Sequence, residues 1–181
     1  MSLSWLPNAI SIMRIALIAP ILVLVAQGRF DWALVLFFIA GFSDGVDGYL
    51  AQRFDWSSRL GGMLDPIADK ALMTGVFVML AWVGLVPAWL AIAVILRDVV
   101  IIGGAIAYSL LFKPVPAEPS RISKANTALQ ILYVLFVMSQ AAFGWPDAIS
   151  TTILGAAVLV TVVISGVDYV LRWSRRARTG G

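Results

Sequence analysis

Four aspartates have the spacing in this sequence that is best suited to chemistry. Asp44 and Asp47 are three residues apart, and Asp65 and Asp69 are four apart. Residues at either spacing share one face of a helix, so two such helices would bring four carboxylates together. Like charges a few ångströms apart at low dielectric repel strongly, so this cluster requires cations. Ligand sets made only of carboxylate oxygens favour hard divalent ions such as Mg²⁺, Mn²⁺ or Ca²⁺.

The composition indicates where this chemistry takes place. Of the 181 residues, 61% are hydrophobic and only 13% are charged, with no cysteine and no histidine. Soluble domains carry about a quarter charged residues. We therefore predict an all-α integral membrane protein. Thiol chemistry, disulfides and histidine-ligated metals are excluded, so catalysis must use carboxylates, lysines, arginines and hydroxyls.

Six apolar stretches are the elements that must position the aspartates. They predict six transmembrane helices in one domain covering residues 1–181, and the first stretch is expected to be retained because it shows no cleavable signal pattern. Asp44 and Asp47 fall near the end of the second helix, and Asp65 and Asp69 near the start of the third. The predicted spans are about 8–27, 32–51, 60–83, 88–111, 122–143 and 148–171.

Basic residues alternate between the connections. They concentrate after the second and fourth spans and in the tail, where the last four are Arg172, Arg175, Arg176 and Arg178. The positive-inside rule then places both termini and the polar metal site on the cytoplasmic side, most simply of a bacterial inner membrane. A basic tail beside a membrane helix indicates contact with anionic lipid headgroups, and no nucleic-acid partner is expected.

The aspartates belong to a longer pattern that resembles the signature of the CDP-alcohol phosphatidyltransferase family, D-x2-D-G-x2-A-R-x8-9-G-x3-D-x3-D. Seven positions match it in type and spacing: Asp44, Asp47, Gly48, Ala51, Gly61, Asp65 and Asp69. One position departs, because Gln52 stands where the family has an arginine and Arg53 follows one step later. Either Arg53 takes over that contact or the contact is lost.

The resemblance implies a reaction and a division of roles. Family members transfer the phosphatidyl group of CDP-diacylglycerol, or a related CDP-linked group, to an alcohol and release CMP. By resemblance, Mg²⁺ or Mn²⁺, one or two ions, would be held by the four aspartates, with Asp69 also acting as the catalytic base. Members are commonly homodimers, and we expect one here. The positions implied in nucleotide binding are Asp44, Gly48, Ala51, Arg53, Gly61 and Asp65.

Four further cations lie outside the motif. Arg14, early in the first span, either extends to the near membrane surface or contacts the aspartates or a substrate phosphate. Arg97 precedes Asp98, so it forms either a structural ion pair or part of an acceptor pocket with Arg121 and Lys124. For the last two, the alternative is ordinary cytoplasmic-side charge.

The acceptor alcohol is predicted from a second resemblance. Residues 96–99 and 122–130 resemble the CDP-diacylglycerol-dependent cardiolipin synthases of mitochondria and some bacteria. The related phosphatidylglycerophosphate synthases tend to have Arg-Glu at 97–98 and a second lysine at Asn126. Glycerol-3-phosphate brings nearly two charges and phosphatidylglycerol one, so the missing lysine favours phosphatidylglycerol. Glycerol-3-phosphate is the alternative acceptor. A divalent-cation transporter is a remote alternative for the function of the whole protein, since a transporter would hold its carboxylates near mid-span.

Overall fold

The computed structural model describes residues 6–54, 59–111 and 121–178, with side chains described at 12–43, 68–104 and 122–171. These residues form helices joined by turns, with no strand among them, which confirms the all-α prediction. The helices are α1 (Leu6–Ala26), α2 (Phe30–Phe54), α3 (Arg59–Trp82), α4 (Ala88–Leu111), α5 (Arg121–Phe143) and α6 (Ala148–Arg178).

Helix length and composition bear on the membrane prediction. The shortest helix, α1, has 21 residues and the longest, α6, has 31. A rise of 1.5 Å per residue means that about 20 residues cross the ~30 Å hydrocarbon core of a bilayer. Within the described residues, two stretches are both long and apolar enough to cross, Ile122–Phe143 and Ala148–Leu171. Shorter apolar stretches occupy Ile12–Ala26 in α1 and Phe30–Ser43 in α2.

Two of the helices end at a glycine with the same pattern of backbone hydrogen bonds. Gly28 and Gly84 have φ values of 73° and 78°, in the left-handed region that favours glycine. After α1, the Gly28 N–H donates to the Val25 carbonyl at 3.0 Å and the Arg29 N–H to the Leu24 carbonyl at 2.9 Å. This pair of bonds satisfies carbonyls that the helix end leaves open. The turns after α1 and α3 therefore fall where the sequence predicts them.

The start of α6 is fixed by Asp147. Its carboxylate accepts hydrogen bonds from the backbone N–H groups of Ile149 at 3.1 Å and Ser150 at 3.2 Å, and from the Ser150 hydroxyl. The Ser150 hydroxyl, followed by the Ser150 N–H, lowers the pKa of Asp147 below its ordinary value. A carboxylate at this position also complements the helix dipole. These contacts place the start of α6 at Ala148.

The chain divides into two compact units. The first comprises Met1–Val86 with Val137–Trp145. In it α1 packs against both α2 and α3. The approach of α1 to α3 is close at Gly75, where an added Cβ would lie 3.3 Å from a Leu22 methyl carbon. Its largest fully buried apolar side chains include Ile21, Val25, Val76, Phe77, Leu80 and Met138.

The second unit comprises Pro87–Phe136 with Pro146–Gly181, and in it α4 packs against α6. The Tyr133 ring of α5 lies over Gly155 of α6, where an added Cβ would be 3.0 Å from Tyr133 Cε2. The buried face of α5 changes character along its length. Its first half buries the polar residues Ser123, Asn126 and Gln130. Its second half begins with the buried core residues Tyr133 and Val134.

Candidate active site

The four motif aspartates lie on two helices, as their spacing predicts. Asp44 and Asp47 belong to α2, and Asp65 and Asp69 to α3. They lie between six and ten residues from the α2 end at Phe54 or the α3 start at Arg59, which is about 9–15 Å along the helix axis. The side chains of Asp44, Asp47 and Asp65 fall outside the described residues, so their clustering stays a prediction.

Helical register gives this prediction its structural support. The described part of α2 buries Ala33, Phe37 and Ala40, and positions 44 and 47 continue the same steps of four and three residues. In α3, the Asp69 side chain is half-buried and follows the fully buried Ala68. A donor set of four carboxylates fits a hard divalent cation. Among the described side chains, no three metal-ligating groups meet, since three of the four aspartates lie outside that set.

Several other predicted residues also fall outside the described side chains. They are the nucleotide-binding positions Gly48, Ala51, Arg53 and Gly61, and the acceptor-binding position Arg121. Their roles remain as the family resemblance implies them.

Arg14 is a buried cation of the first unit. Only 1% of it is exposed, eight residues into α1, or about 12 Å along the helix axis. This burial excludes the alternative in which the side chain extends to water. A buried guanidinium needs compensating acceptors or anions. Because α1 packs against α2 and α3, Arg14 lies on the helix that contacts both aspartate-bearing helices.

Arg97 joins three helices of the second unit. Its Nη1 donates to Asp98 Oδ1 at 2.6 Å, and Nη2 donates to Ser123 Oγ of α5 at 2.6 Å and Ser165 Oγ of α6 at 2.7 Å. Its Nε also donates to Ser165 at 3.2 Å. These bonds use four of the five guanidinium N–H groups. The Arg97–Asp98 ion pair predicted as one alternative is therefore present, and a contact with the acceptor stays a prediction.

Lys124 lies beside this network and is exposed. It lines an open recess of about 360 Å³ on α5 together with Ser123, Thr127, Ala128 and Ile131. Ser123 links the two cations, because it accepts from Arg97 and is the neighbour of Lys124 in the chain. The geometry thus leaves the Lys124 ammonium accessible to an anionic group, as the acceptor prediction requires.

Asn126 does not share that accessibility. It is fully buried, and its Oδ1 accepts a hydrogen bond from Thr161 of α6 at 3.0 Å. A lysine at position 126 would carry its ammonium into the packing of α5 against α6 and not into the recess beside Lys124. Position 126 in this protein therefore lies outside the recess in which a second lysine would meet glycerol-3-phosphate.

Two buried amide groups next to this contact have no acceptor among the described residues. Asn126 Nδ2 and Gln130 Nε2, one turn apart on α5, make no hydrogen bond in the described part of the chain. Sequence reasoning considered Asn126 only as the place of a missing lysine, and it missed Gln130, Thr161 and Ser165. The available signal was polar residues recurring at helical spacing within apolar spans: Ser123, Asn126 and Gln130 in α5, and Thr161 and Ser165 in α6.

Comparison with known proteins identifies the class. Residues 4–164 match the family model of the CDP-alcohol phosphatidyltransferases. This match extends over most of the chain and includes the whole aspartate motif. The chain therefore belongs to the CDP-alcohol phosphatidyltransferase family.

Three individual relatives are similar to much of this chain. The chain is 34% identical to human cardiolipin synthase (CMP-forming), over 91% of this chain and 60% of that protein. It is 35% identical to a cardiolipin synthase (CMP-forming)/mitochondrial hydrolase fusion protein of Schizosaccharomyces pombe, over 91% of this chain and 30% of that protein. A Bacillus subtilis CDP-diacylglycerol–glycerol-3-phosphate 3-phosphatidyltransferase is 33% identical, over 71% of this chain and 74% of that protein. The chain thus spans only part of the eukaryotic relatives it matches.

Proposed function

We propose that this protein transfers the phosphatidyl group of CDP-diacylglycerol to phosphatidylglycerol, releasing CMP and forming cardiolipin. The observation that carries the proposal is the likeness to proteins named cardiolipin synthase (CMP-forming) over 91% of the chain. Family membership favours an enzyme over the divalent-cation transporter. The Bacillus subtilis relative supports a second candidate, the same transfer to glycerol-3-phosphate.

In the proposed reaction, the bond between the phosphatidyl phosphorus and the CMP oxygen breaks, and the acceptor hydroxyl oxygen bonds to that phosphorus. CMP leaves with the electron pair. The half-buried Asp69 carboxylate would accept the hydroxyl proton as general base. The buried Arg14 supplies positive charge from α1 to the aspartates or to a substrate phosphate.

Divalent ions complete this site. The carboxylates of Asp44, Asp47, Asp65 and Asp69 would hold Mg²⁺ or Mn²⁺, in one or two copies, as the family's general use of divalent metals supports. When bound, such ions supply charge neutralisation at the diphosphate of the donor. Gly48, Ala51, Arg53 and Gly61 would contact the cytidine nucleotide, together with Asp44 and Asp65.

The acceptor would bind on the second unit. Lys124 is exposed in its recess, and Arg121 begins the same helix. Arg97 would act mainly by fixing Ser123 next to Lys124, with one guanidinium N–H left over after its four bonds. A single anionic diester suits this limited set of cations, which is consistent with phosphatidylglycerol.

We further propose that residues 1–181 form one six-span membrane domain that works as a homodimer. The match to one family model across both compact units supports the single domain. Exposed tryptophans support the spans, because all four lie next to the three glycine turns. Trp32, Trp82 and Trp89 are at helix ends, and Trp145 is in the turn before α6. Tryptophan prefers such interfacial positions. The termini and the metal site would then face the cytosol, in a bacterial inner membrane.

The choice of acceptor is tested with purified protein in lipid nanodiscs. Labelled CDP-diacylglycerol is supplied with phosphatidylglycerol, with glycerol-3-phosphate, or with neither, and lipid products are identified by mass spectrometry. We expect cardiolipin from phosphatidylglycerol. Phosphatidylglycerophosphate without any cardiolipin would show that the second candidate is correct.

A further inference from the structure

An apolar groove runs along the surface between α4 and α6 in the second unit. It has a volume of about 430 Å³, and nine of its ten lining residues are apolar. The groove is open, because its wall residues are exposed, including Leu96 at 58% and Val163 at 55%. Gly166 gives it depth, since an added Cβ there would meet no atom within 4 Å. Other wall residues are Val100, Val167 and Val170.

The length of the groove matches one leaflet of a bilayer. Its α6 side extends from Val162 to Leu171. Nine helical steps of 1.5 Å make about 14 Å. Half of a ~30 Å hydrocarbon core is about 15 Å. One extended acyl chain of a single leaflet would therefore occupy the groove from end to end.

Charge at the groove indicates what kind of lipid fits. Arg97 is the one polar lining residue; it is buried, paired with Asp98 and bonded to Ser165 of α6. Directly after Leu171, α6 continues through Arg172, Arg175 and Arg176. An apolar groove that leads towards a basic helix end is complementary to a lipid with an anionic headgroup.

We propose that this groove binds an acyl chain of the anionic acceptor phospholipid. The inference rests on the proposed function, in which the acceptor is a lipid. The predicted nucleotide positions lie on α2 and α3, whereas the groove shares Arg97 with the predicted acceptor site. A second protein helix fits less well. Gly166 is flanked one turn away by Val162 and Val170, whereas close helix packing in membranes favours small residues at that spacing.

Photocrosslinking tests the groove without requiring turnover. The probe is phosphatidylglycerol carrying a diazirine in one acyl chain, and the labelled peptide is read by mass spectrometry. The test variant is Gly166→Leu, which fills the groove. The matched control is Gly103→Leu, on the exposed surface of α4, where an added Cβ also meets open space. We expect labelling within 162–171 to fall about tenfold in Gly166→Leu and to be unchanged in the control.

A second readout is the KM for phosphatidylglycerol. Gly166→Leu is expected to raise it roughly tenfold for long acyl chains and little for six-carbon chains, with kcat near wild type. A phosphatidylcholine probe with the same chain should label this segment several-fold less, because its headgroup has no net charge.

Undiminished labelling in Gly166→Leu, or equal labelling by phosphatidylcholine, would contradict the binding of an anionic lipid in the groove. A third contradicting result is loss of a dimer in Gly166→Leu with no lipid label in the wild-type protein. The last would make a second copy the occupant. A different result would show that the proposed function is wrong and the groove correct: phosphatidylglycerol would still label α6, while CDP-diacylglycerol would release no CMP.

Discussion

Asp69 is the motif aspartate whose side chain the structure describes, and it is half-buried in α3. Two roles are combined in it, metal ligand and general base, and they can be separated. Asparagine keeps the size of the side chain and one oxygen, but cannot accept a proton at neutral pH. The substitution therefore removes basicity more completely than it removes coordination.

Asp69→Asn is expected to lower kcat by roughly 10²–10⁴ while CDP-diacylglycerol still binds. Turnover and donor binding are measured on the same purified sample. The control is Asp147→Asn, which changes the exposed cap of α6 to another good capping residue and should leave kcat unchanged. Near-normal turnover in Asp69→Asn would exclude a required base at this position.

Metal removal tests the other three aspartates together with Asp69. Because all the proposed ligands are carboxylate oxygens, EDTA should abolish CMP release, and Mg²⁺ or Mn²⁺ should restore it. Asp44→Asn should lose metal binding and turnover together. Full activity in EDTA, compared with EDTA saturated by Mg²⁺, would contradict the metal site.

Helix α5 shows how polar groups within one element set its stability. Gln130 is 2% exposed, and its Nε2 has no acceptor in the described part of the chain. A buried donor left without a partner costs about 1–3 kcal/mol. Methionine has a similar length and shape without this cost.

Gln130→Met is therefore expected to raise the free energy of unfolding by about 1 kcal/mol. Unfolding is followed by SDS titration from a mild detergent. The control is Gln140→Met on the same helix, where the side chain is only half-buried and the change should stay within about 0.5 kcal/mol. A destabilised Gln130→Met would mean that the amide has a bound partner in the folded protein.

Much of this element-scale structure was predictable from sequence. Hydrophobic runs predicted the six helices that the described residues form, and the span predicted at 88–111 coincides with α4. The largest difference is α6, which continues past Leu171 to Arg178 because a helix need not stop where its apolar stretch does. The partners of Arg97 were not predictable, since Ser165 is 68 residues away and a serine in an apolar span carries no motif. The burial of Asn126 likewise depends on how α5 and α6 pack.

At the scale of the whole molecule, the proposed topology places α1, α3 and α5 running outward and the other three inward. The absence of cysteine from the sequence allows a clean labelling test. A cysteine at Gly180 should react only from the cytosolic side. One replacing Trp145, which is 70% exposed in the turn before α6, should react only from the opposite side. The reverse pattern would overturn the orientation, and same-side labelling would overturn the count of spans.

The stoichiometry of CMP and cardiolipin tests the proposed transfer between two lipids most directly. Wild-type protein in nanodiscs receives CDP-diacylglycerol, a divalent ion, and phosphatidylglycerol as the only acceptor. CMP and cardiolipin are quantified in the same samples over time. The proposed reaction predicts that both form in equal amounts, and that neither forms in Asp44→Asn. CMP released without cardiolipin, or no CMP at all, would contradict it.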